Sequence, residues 1–299
     1  MHALVQAVTS KDRAALGKIF GPDISQLLSG DPVEDQKDLD DFATGLDESA
    51  QLQKQDDSYA VLVGKANWPF PVPIEKQGDQ WIFDTKDGVQ QILDRRIGEN
   101  ELSAIATARA YVVAQWQYFT QGDWGHDGVA AYAPKFVSTP GLHDGLYWET
   151  SEGDPPSPLG SLVAEARAEG YGPRDRSTSA ADDSASDNSD SNDSSGGHRP
   201  FHGYYFKILT RQGLHAPGGK YNYIINGNMI AGFALIAYPD KWGNSGVMTF
   251  IVNQQGRVYE KNLGPHTDRI AASMIEYDPD QTWKMVDWRM NDTQQAIQK

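Results

Sequence analysis

Two histidines stand beside aspartates in the middle of the chain, and such pairs can support acid–base or metal chemistry. His126 and Asp127 lie in the segment "GDWGHDG", and His143 and Asp144 lie in "STPGLHDGLYW". A carboxylate that orients an imidazole makes that imidazole a general base, whereas a zinc enzyme holds its metal with three rigid protein ligands. Because the sequence has no HExxH or HxH pattern, we expect no metal and no cofactor. These four residues are the catalytic candidates if the protein is a hydrolase.

Other polar motifs have a simpler structural interpretation. Ser245 in "GNSGV" lacks the G-x-S-x-G spacing of a nucleophile elbow, so we expect it to lie in a turn. Asp278 and Asp280 in "DPD" could act as the paired acids of a glycosidase, but this motif is typical of a turn. Arg95 and Arg96 stand beside two glutamates and could bind a carboxylate. We expect them instead to form helix ion pairs or to join two domains.

Aromatic residues in the predicted loops are the candidates for binding. Rings in loops often present flat faces to sugars or to partner proteins. They also often fill the core of a loop-rich domain, and the sequence leaves both interpretations open. The six candidates are Trp124, Tyr147, Trp148, Tyr221, Tyr223 and Trp242.

The overall charge restricts the partners. The 299 residues include 26 Lys and Arg against 41 Asp and Glu, which gives a net charge of -15. A surface this negative repels phosphate backbones and anionic lipids, so we expect no nucleic-acid partner. Cysteine is absent, which excludes disulfides, thiolate nucleophiles and cysteine-ligated zinc.

Targeting signals are not visible in the sequence. No stretch approaches the roughly 20 consecutive apolar residues of a transmembrane helix. The segment "MHALVQAVTSKDRAALGKIF" lacks the basic and apolar regions of a signal peptide. We therefore expect a chain that is either cytosolic or begins after a removed signal.

The periodicity of the first 85 residues predicts a small α+β domain. Apolar spacing predicts helices over residues 3–20 and 39–53, followed by a strand over residues 59–64. Residues 68–85 then have the pattern of two strands around a turn at Gly78.

Residues 86–299 are predicted to form a second domain in which a long helix packs on an antiparallel sheet. Helical spacing continues to about Thr120, with a break expected near Gly98. After Tyr204 the chain shows strand patterns separated by turn residues, which is typical of an antiparallel meander. Residues 172–199 are rich in Ser and Asp, and we expect a disordered insert there because they have almost no apolar side chains. The predicted fold class is α+β.

Several motifs resemble a known bacterial family, the domain of unknown function 2950. The resemblance rests on "WPFPVPIEKQGDQWIFDTKDG", "RRIGENEL", "FHGYYFKILTRQG", "AGFALIAYPDKWGNSGVMTFIVNQQGRVYEKNLGP" and "DPDQTWK", in this order, and it extends over residues 4–288. Members of the family are mostly exported, so the resemblance implies a periplasmic or extracellular location. It implies no activity and no catalytic residues.

The second half of the chain is also similar to the globular part of type II secretion pseudopilins. The similar features are the helix containing "NEL" and "AQWQY", followed by "GYYF", "GVMTF" and "GRVYE". This resemblance implies a pilin-like helix packed on an antiparallel sheet. The pilin helix begins as an apolar N-terminal segment, whereas this one lies in the middle of the chain, so filament assembly is not implied.

These observations favour a non-catalytic, extracytoplasmic interaction or structural module. Its expected partner is a protein or a glycan of the cell envelope. The alternative is a hydrolase that acts on a cell-envelope polymer, with its site among the histidines and aspartates of residues 121–145. No complete catalytic set is visible in the sequence, and the first hypothesis is therefore preferred.

The composition of the insert predicts that it is dispensable for folding. Replacing residues 174–198 with a short Gly/Ser linker should leave the melting temperature within a few degrees of the parent value. The reason is that the entropy of closing a flexible loop changes by only about 0.6 kcal/mol for each doubling of its length. Thermal unfolding followed by circular dichroism checks this, and loss of the folded state would contradict it.

Overall fold

Four helical segments open the chain. The computed structural model describes residues 2–122, 124, 128–150, 153–169, 171 and 200–286. The predicted helix over residues 3–20 is in fact two helices, because Asp12 accepts hydrogen bonds from the backbone N–H groups of Ala14 and Ala15 and starts a new helix. The segments are α1 (His2–Thr9), α2 (Arg13–Phe20), a 3-10 helix (Pro22–Leu27) and α3 (Pro32–Glu48).

Five antiparallel strands follow, and the helices cover one face of their sheet. They are β1 (Ala50–Gln55), β2 (Ser58–Val63), β3 (Trp68–Pro69), β4 (Ile74–Gln77) and β5 (Gln80–Phe83). The order is β1-β2-β4-β5, with β3 also paired to β2. The predicted strand over residues 59–64 and the turn at Gly78, whose φ is 63°, are confirmed. The predicted helix over residues 39–53 is wrong at both ends, since α3 begins at Pro32 and residue 50 already lies in β1.

The long helix α4 (Thr85–Gln121) connects the two halves of the molecule. Asp84 caps it by accepting a hydrogen bond from the backbone N–H of Asp87 at 3.2 Å. The break expected at Gly98 is absent, because α4 is continuous through this position. One glycine inside a helix costs about 1 kcal/mol relative to alanine, which the packing of both ends of a long helix outweighs.

The rest of the chain forms short elements around one larger sheet. The elements are α5 (Gly160–Glu169), β6 (Tyr204–Leu209), β7 (Arg211–Gln212), β8 (Tyr221–Asn222), β9 (Ile224–Ile225), β10 (Asn228–Met229), β11 (Ala234–Pro239), β12 (Thr249–Asn253), β13 (Tyr259–Lys261), α6 (Thr267–Ser273), β14 (Glu276–Tyr277) and β15 (Lys284–Met285). The five-stranded sheet has the order β15-β13-β12-β11-β6 and is antiparallel throughout, which confirms the predicted meander. Strands β14, β7 and β8 form a smaller sheet, and β9 pairs with β10.

The C-terminal half of α4 packs on this sheet and thereby forms the larger core. Tyr111 is almost fully buried, and its hydroxyl donates to the carbonyl of Ala234 at 3.4 Å. The side chain of Gln115 satisfies both backbone groups of Ala133, at 2.9 and 2.8 Å. The expected α+β class, with a long helix on a C-terminal antiparallel sheet, is confirmed. Within the described part of the chain, no helix combines the length and the apolar character needed to cross a bilayer.

Neighbouring positions on α4 allow a matched test of this packing. Ala114 is 1% exposed and Val113 is 56% exposed. Ala114→Asp places a carboxylate in the core without a partner, so it should lower the free energy of unfolding by several kcal/mol, on the order of 3 or more. Val113→Asp should change it by less than about 1 kcal/mol. Urea denaturation of the two variants checks this, and equal stability would mean that this face of α4 is not buried.

Candidate functional site

A cleft of about 280 Å³ lies between α3, α4 and the residues on either side of the interval 172–199. Four carboxylic acids line it, namely Glu34, Asp38, Glu99 and Glu169. Lys37 and His202 also line the cleft, and theirs are the basic side chains of the lining. The cleft is therefore predominantly acidic.

Helix α3 provides two of the acids because of how it begins. The Asp31 carboxylate accepts a hydrogen bond from the backbone N–H of Val33 at 2.9 Å, and Pro32 occupies the first helical turn. This start places Glu34 and Asp38 four residues apart, and residues at that spacing lie on the same side of a helix. Both side chains consequently face the cleft.

Helix α4 forms the opposite wall with Glu99, Asn100 and Ser103. Asn100 is buried, and its side-chain amide donates to the carbonyl of Ser245 at 3.1 Å. A Cβ at Gly203 would come within 2.8 Å of the same amide nitrogen, so this glycine allows the chain to approach α4 closely. The wall is thus fixed to the loop between β11 and β12 and to the residue that precedes β6.

Residues from both sides of the interval 172–199 complete the cleft. The Tyr171 hydroxyl donates to Oδ2 of Asp31 at 3.0 Å, and the Tyr171 ring lies 5.1 Å from the ring of Phe201. His202 has a φ of 45°, a left-handed conformation that is uncommon for this residue, and its Nε2 lies 3.0 Å from Oε2 of Glu169. The predicted insert over residues 172–199 lies outside the described residues, and the residues that flank it contact one another at the cleft.

Burial changes the ionisation of the two acids on α3. Burial and the neighbouring Asp38 raise the pKa of Glu34 from 4.5 to about 7, although the Arg96 guanidinium acts in the opposite direction. Burial, followed by the charge of Glu99, raises the pKa of Asp38. Oε2 of Glu34 is buried and has no hydrogen-bond partner among the described residues. Such an atom is costly to leave unsatisfied.

Arg96 interacts electrostatically with Glu34 and Asp38 and makes long-range hydrogen bonds. It is 5% exposed, and its guanidinium donates to the carbonyls of Leu27 and Leu28 at 2.6 and 3.1 Å and to Oδ1 of Asn244 at 3.1 Å. The amide of Asn244 in turn donates to the carbonyl of Ser29 at 2.9 Å. Arg96 therefore links residues 27–29 to the loop that contains Asn244.

The histidine–aspartate candidates occupy different environments. His126 and Asp127 lie outside the described residues. The carboxylate of Asp144 accepts hydrogen bonds from the backbone and hydroxyl of Thr139 at 2.7 and 2.9 Å and pairs with Lys135 at 2.6 Å, so it stabilises its own loop. The ring of His143 lies between aromatic rings of the same region, 4.5 Å from Trp148.

The six aromatic candidates divide into buried and exposed groups. Tyr223 and Trp148 are buried in the larger core, where neither ring can present a free face. Trp124, Tyr147 and Tyr221 are partly buried and pack against that core. Trp242 is 39% exposed, with its indole N–H donating to the side chain of Asn262. The binding role of these residues stays a prediction.

The acidic cleft was not anticipated from the sequence. Glu34 and Asp38 fell outside the predicted helix, which began at residue 39, and Glu169 and His202 are separated by the long interval. The pattern Asp31-Pro32 followed by acidic residues is a helix-start signal that could have identified the α3 contribution. Within the described part of the chain, no group of three or more His, Asp or Glu side chains is arranged to hold a metal ion.

Comparison with known proteins places the chain in a family. The family model for the protein of unknown function DUF2950 matches residues 1–286, and the chain belongs to this family. No curated protein and no solved structure matches the chain. The resemblance to pseudopilins is not confirmed.

The ionisation of Glu34 makes stability depend on pH. Because its pKa is higher in the folded chain than the ordinary 4.5, the folded state binds more protons between these values, and the free energy of unfolding falls as the pH rises towards 7. A shift to about 7 corresponds to roughly 3 kcal/mol, which partial solvent exposure reduces to about 1–2 kcal/mol. Glu34→Gln should therefore stabilise the protein by this amount at about pH 8 and have little effect at about pH 4.

Urea denaturation at the two pH values measures this difference. Asp47→Asn, at an exposed position on the same helix, is the matched control and should show no such pH dependence. An equal effect of Glu34→Gln at both pH values would show that the Glu34 carboxyl is solvated.

Proposed function

We propose that the protein is a non-catalytic, extracytoplasmic interaction module whose acidic cleft receives a cationic side chain of a protein partner. The observation that carries the proposal is the convergence of four carboxylic acids, Glu34, Asp38, Glu99 and Glu169, on one cleft. An ammonium or guanidinium group would donate to these carboxylates and neutralise them. The extracytoplasmic location is supported by the resemblance to exported members of the family.

Charges around the cleft support a cationic ligand. Lys37, the lysine at the cleft wall, is paired with Asp41 at 3.1 Å, and both side chains are largely exposed. Its ammonium is thus held by a carboxylate outside the cleft. The acids at the wall outnumber the cations, and the net charge of -15 favours the approach of a basic partner.

The size of the cleft suits a single side chain. A volume of about 280 Å³ is at the lower end of small-molecule sites. Asn100 and Ser103 add polar groups next to Glu99, and Tyr171 forms an aromatic wall. Burial and the Asp31 carboxylate raise the pKa of Tyr171 well above its usual range, so its hydroxyl stays protonated and its ring neutral. A neutral aromatic face beside carboxylates is a favourable surface for a cation.

A hydrolase that acts on a cell-envelope polymer is the second candidate. A carboxyl with a pKa of about 7, as in Glu34, suits a general acid, and a second carboxyl nearby could serve as the base or nucleophile. Asp38 is the neighbour whose charge acts on Glu34. The variant Glu34→Gln separates this candidate from the interaction module, because its effects on peptide binding and on hydrolysis are measured separately.

Binding of a basic peptide tests the proposal. A hexa-arginine peptide should bind the full chain at about pH 8, and its affinity should fall about tenfold at about pH 6, where a carboxyl of pKa 7 is mostly protonated. Glu34→Gln should weaken binding at pH 8 and remove this pH dependence, whereas Asp47→Asn should leave both unchanged. Isothermal titration calorimetry in buffers of different ionisation enthalpy measures the affinity and the protons released.

Two results would contradict the proposal. One is binding of the peptide with equal affinity to the parent chain and to Glu34→Gln, because the cleft would then not be the site. The other is hydrolysis of purified peptidoglycan by the parent chain that Glu34→Gln abolishes while the fold survives, which would support the enzyme.

A further inference from the structure

The N-terminal sheet has one face that carries no carboxylate, in a chain with 41 Asp and Glu residues. Strand register identifies this face, since directly paired residues of antiparallel strands lie on the same side. Lys54 pairs with Tyr59, Tyr59 pairs with Ile74, and Lys76 pairs with Trp81. Leu52, two residues before Lys54, lies on the same side.

The helices cover only part of this face. Val61 and Val63 belong to the same face and are buried in the N-terminal core, and α3 comes so close that a Cβ at Gly45 would touch Val63. Leu52, which pairs with Val61 on the edge strand β1, and Trp81 on the opposite edge strand β5 are each 49% exposed. An apolar surface of this kind, left uncovered within the described part of the chain, is typical of an interaction site.

We propose that the uncovered part of this face, which we define by Leu52, Lys54, Tyr59, Lys76 and Trp81, is a docking surface for an acidic, apolar segment of a protein partner. The argument is charge complementarity. The two lysines lie two strands apart and two residues out of register, which corresponds to about 12 Å, and apolar and aromatic side chains lie between and beside them. Carboxylates of the partner would pair with the lysines while its apolar side chains cover Leu52 and Trp81.

The surface is held rigidly enough to serve as an anchor. The rings of Tyr59 and Trp81 contact each other edge to face, with their centroids 5.0 Å apart. Aromatic side chains fixed by such a contact lose little conformational entropy on binding, and tryptophan and tyrosine are frequent among the residues that dominate binding energy.

A protein segment fits this surface better than an anionic membrane. Asp56 and Asp57 lie in the turn between β1 and β2, and Asp79 lies in the turn between β4 and β5. These turns stand directly beyond the two lysines. A flat lipid surface that met the lysines would also meet the carboxylates of the turns and be repelled by them, whereas a short segment can contact the sheet face alone.

Two matched peptides test the proposal. The probes are an amphipathic peptide of leucine and glutamate and its counterpart in which lysine replaces every glutamate. The acidic peptide should bind the full chain and perturb the indole signal of Trp81 in NMR spectra, and Lys54→Glu with Lys76→Glu should weaken this binding about tenfold or more. The same double variant should gain affinity for the basic peptide. Lys86→Glu, at an exposed position near the start of α4, is the control and should leave binding of the acidic peptide unchanged.

Each other outcome would overturn the proposal. The first is failure of the acidic peptide to bind the parent chain, and the second is equal affinity of this peptide for the parent chain and the double variant. The third is no gain in the affinity of the double variant for the basic peptide. The last measurement is binding to vesicles that contain phosphatidylglycerol. Binding of the parent chain to these vesicles, lost in the double variant, would identify the surface as a lipid contact instead.

Discussion

The buried guanidinium of Arg96 is the interaction on which the rest of the structure depends. It joins α4, on which it lies, to the end of the 3-10 helix and to Asn244 of the C-terminal half. A buried cation is costly unless charge and hydrogen bonds compensate it, and removing its partners leaves a large penalty. The acids Glu34 and Asp38 on α3 interact with this charge, which partly offsets the rise in their pKa values that burial causes. The cleft and the junction between the halves are therefore built from the same charges.

The elements that could be predicted from the sequence were those with a strong local signal. The strand patterns after Tyr204 and the apolar face of α4 repeat over many residues, and their periodicity indicated a helix on a meander. The errors occurred where a single residue was expected to decide, or does decide, whether a helix ends or continues. Asp12 divides one expected helix into two, and Gly98 does not interrupt α4 because tertiary packing outweighs its propensity.

The candidate site was harder to predict, because the residues that form it are far apart in the chain. Glu34 and Glu99 belong to different helices, and Glu169 and His202 approach each other only because the flanks of the interval meet. Nothing in the local pattern of these residues indicates that they converge. The sequence instead drew attention to paired motifs such as His143 and Asp144, and the carboxylate of Asp144 is engaged within its own loop.

Helix α4 belongs to both hydrophobic cores. Near its start Gly88 lies against Val72 and Ile92 packs on the N-terminal core, whereas residues from Ala104 onward pack into the larger one. Loosening either core therefore exposes part of a helix on which the other core also rests. The two halves share this one element, so the chain should melt as a single cooperative unit.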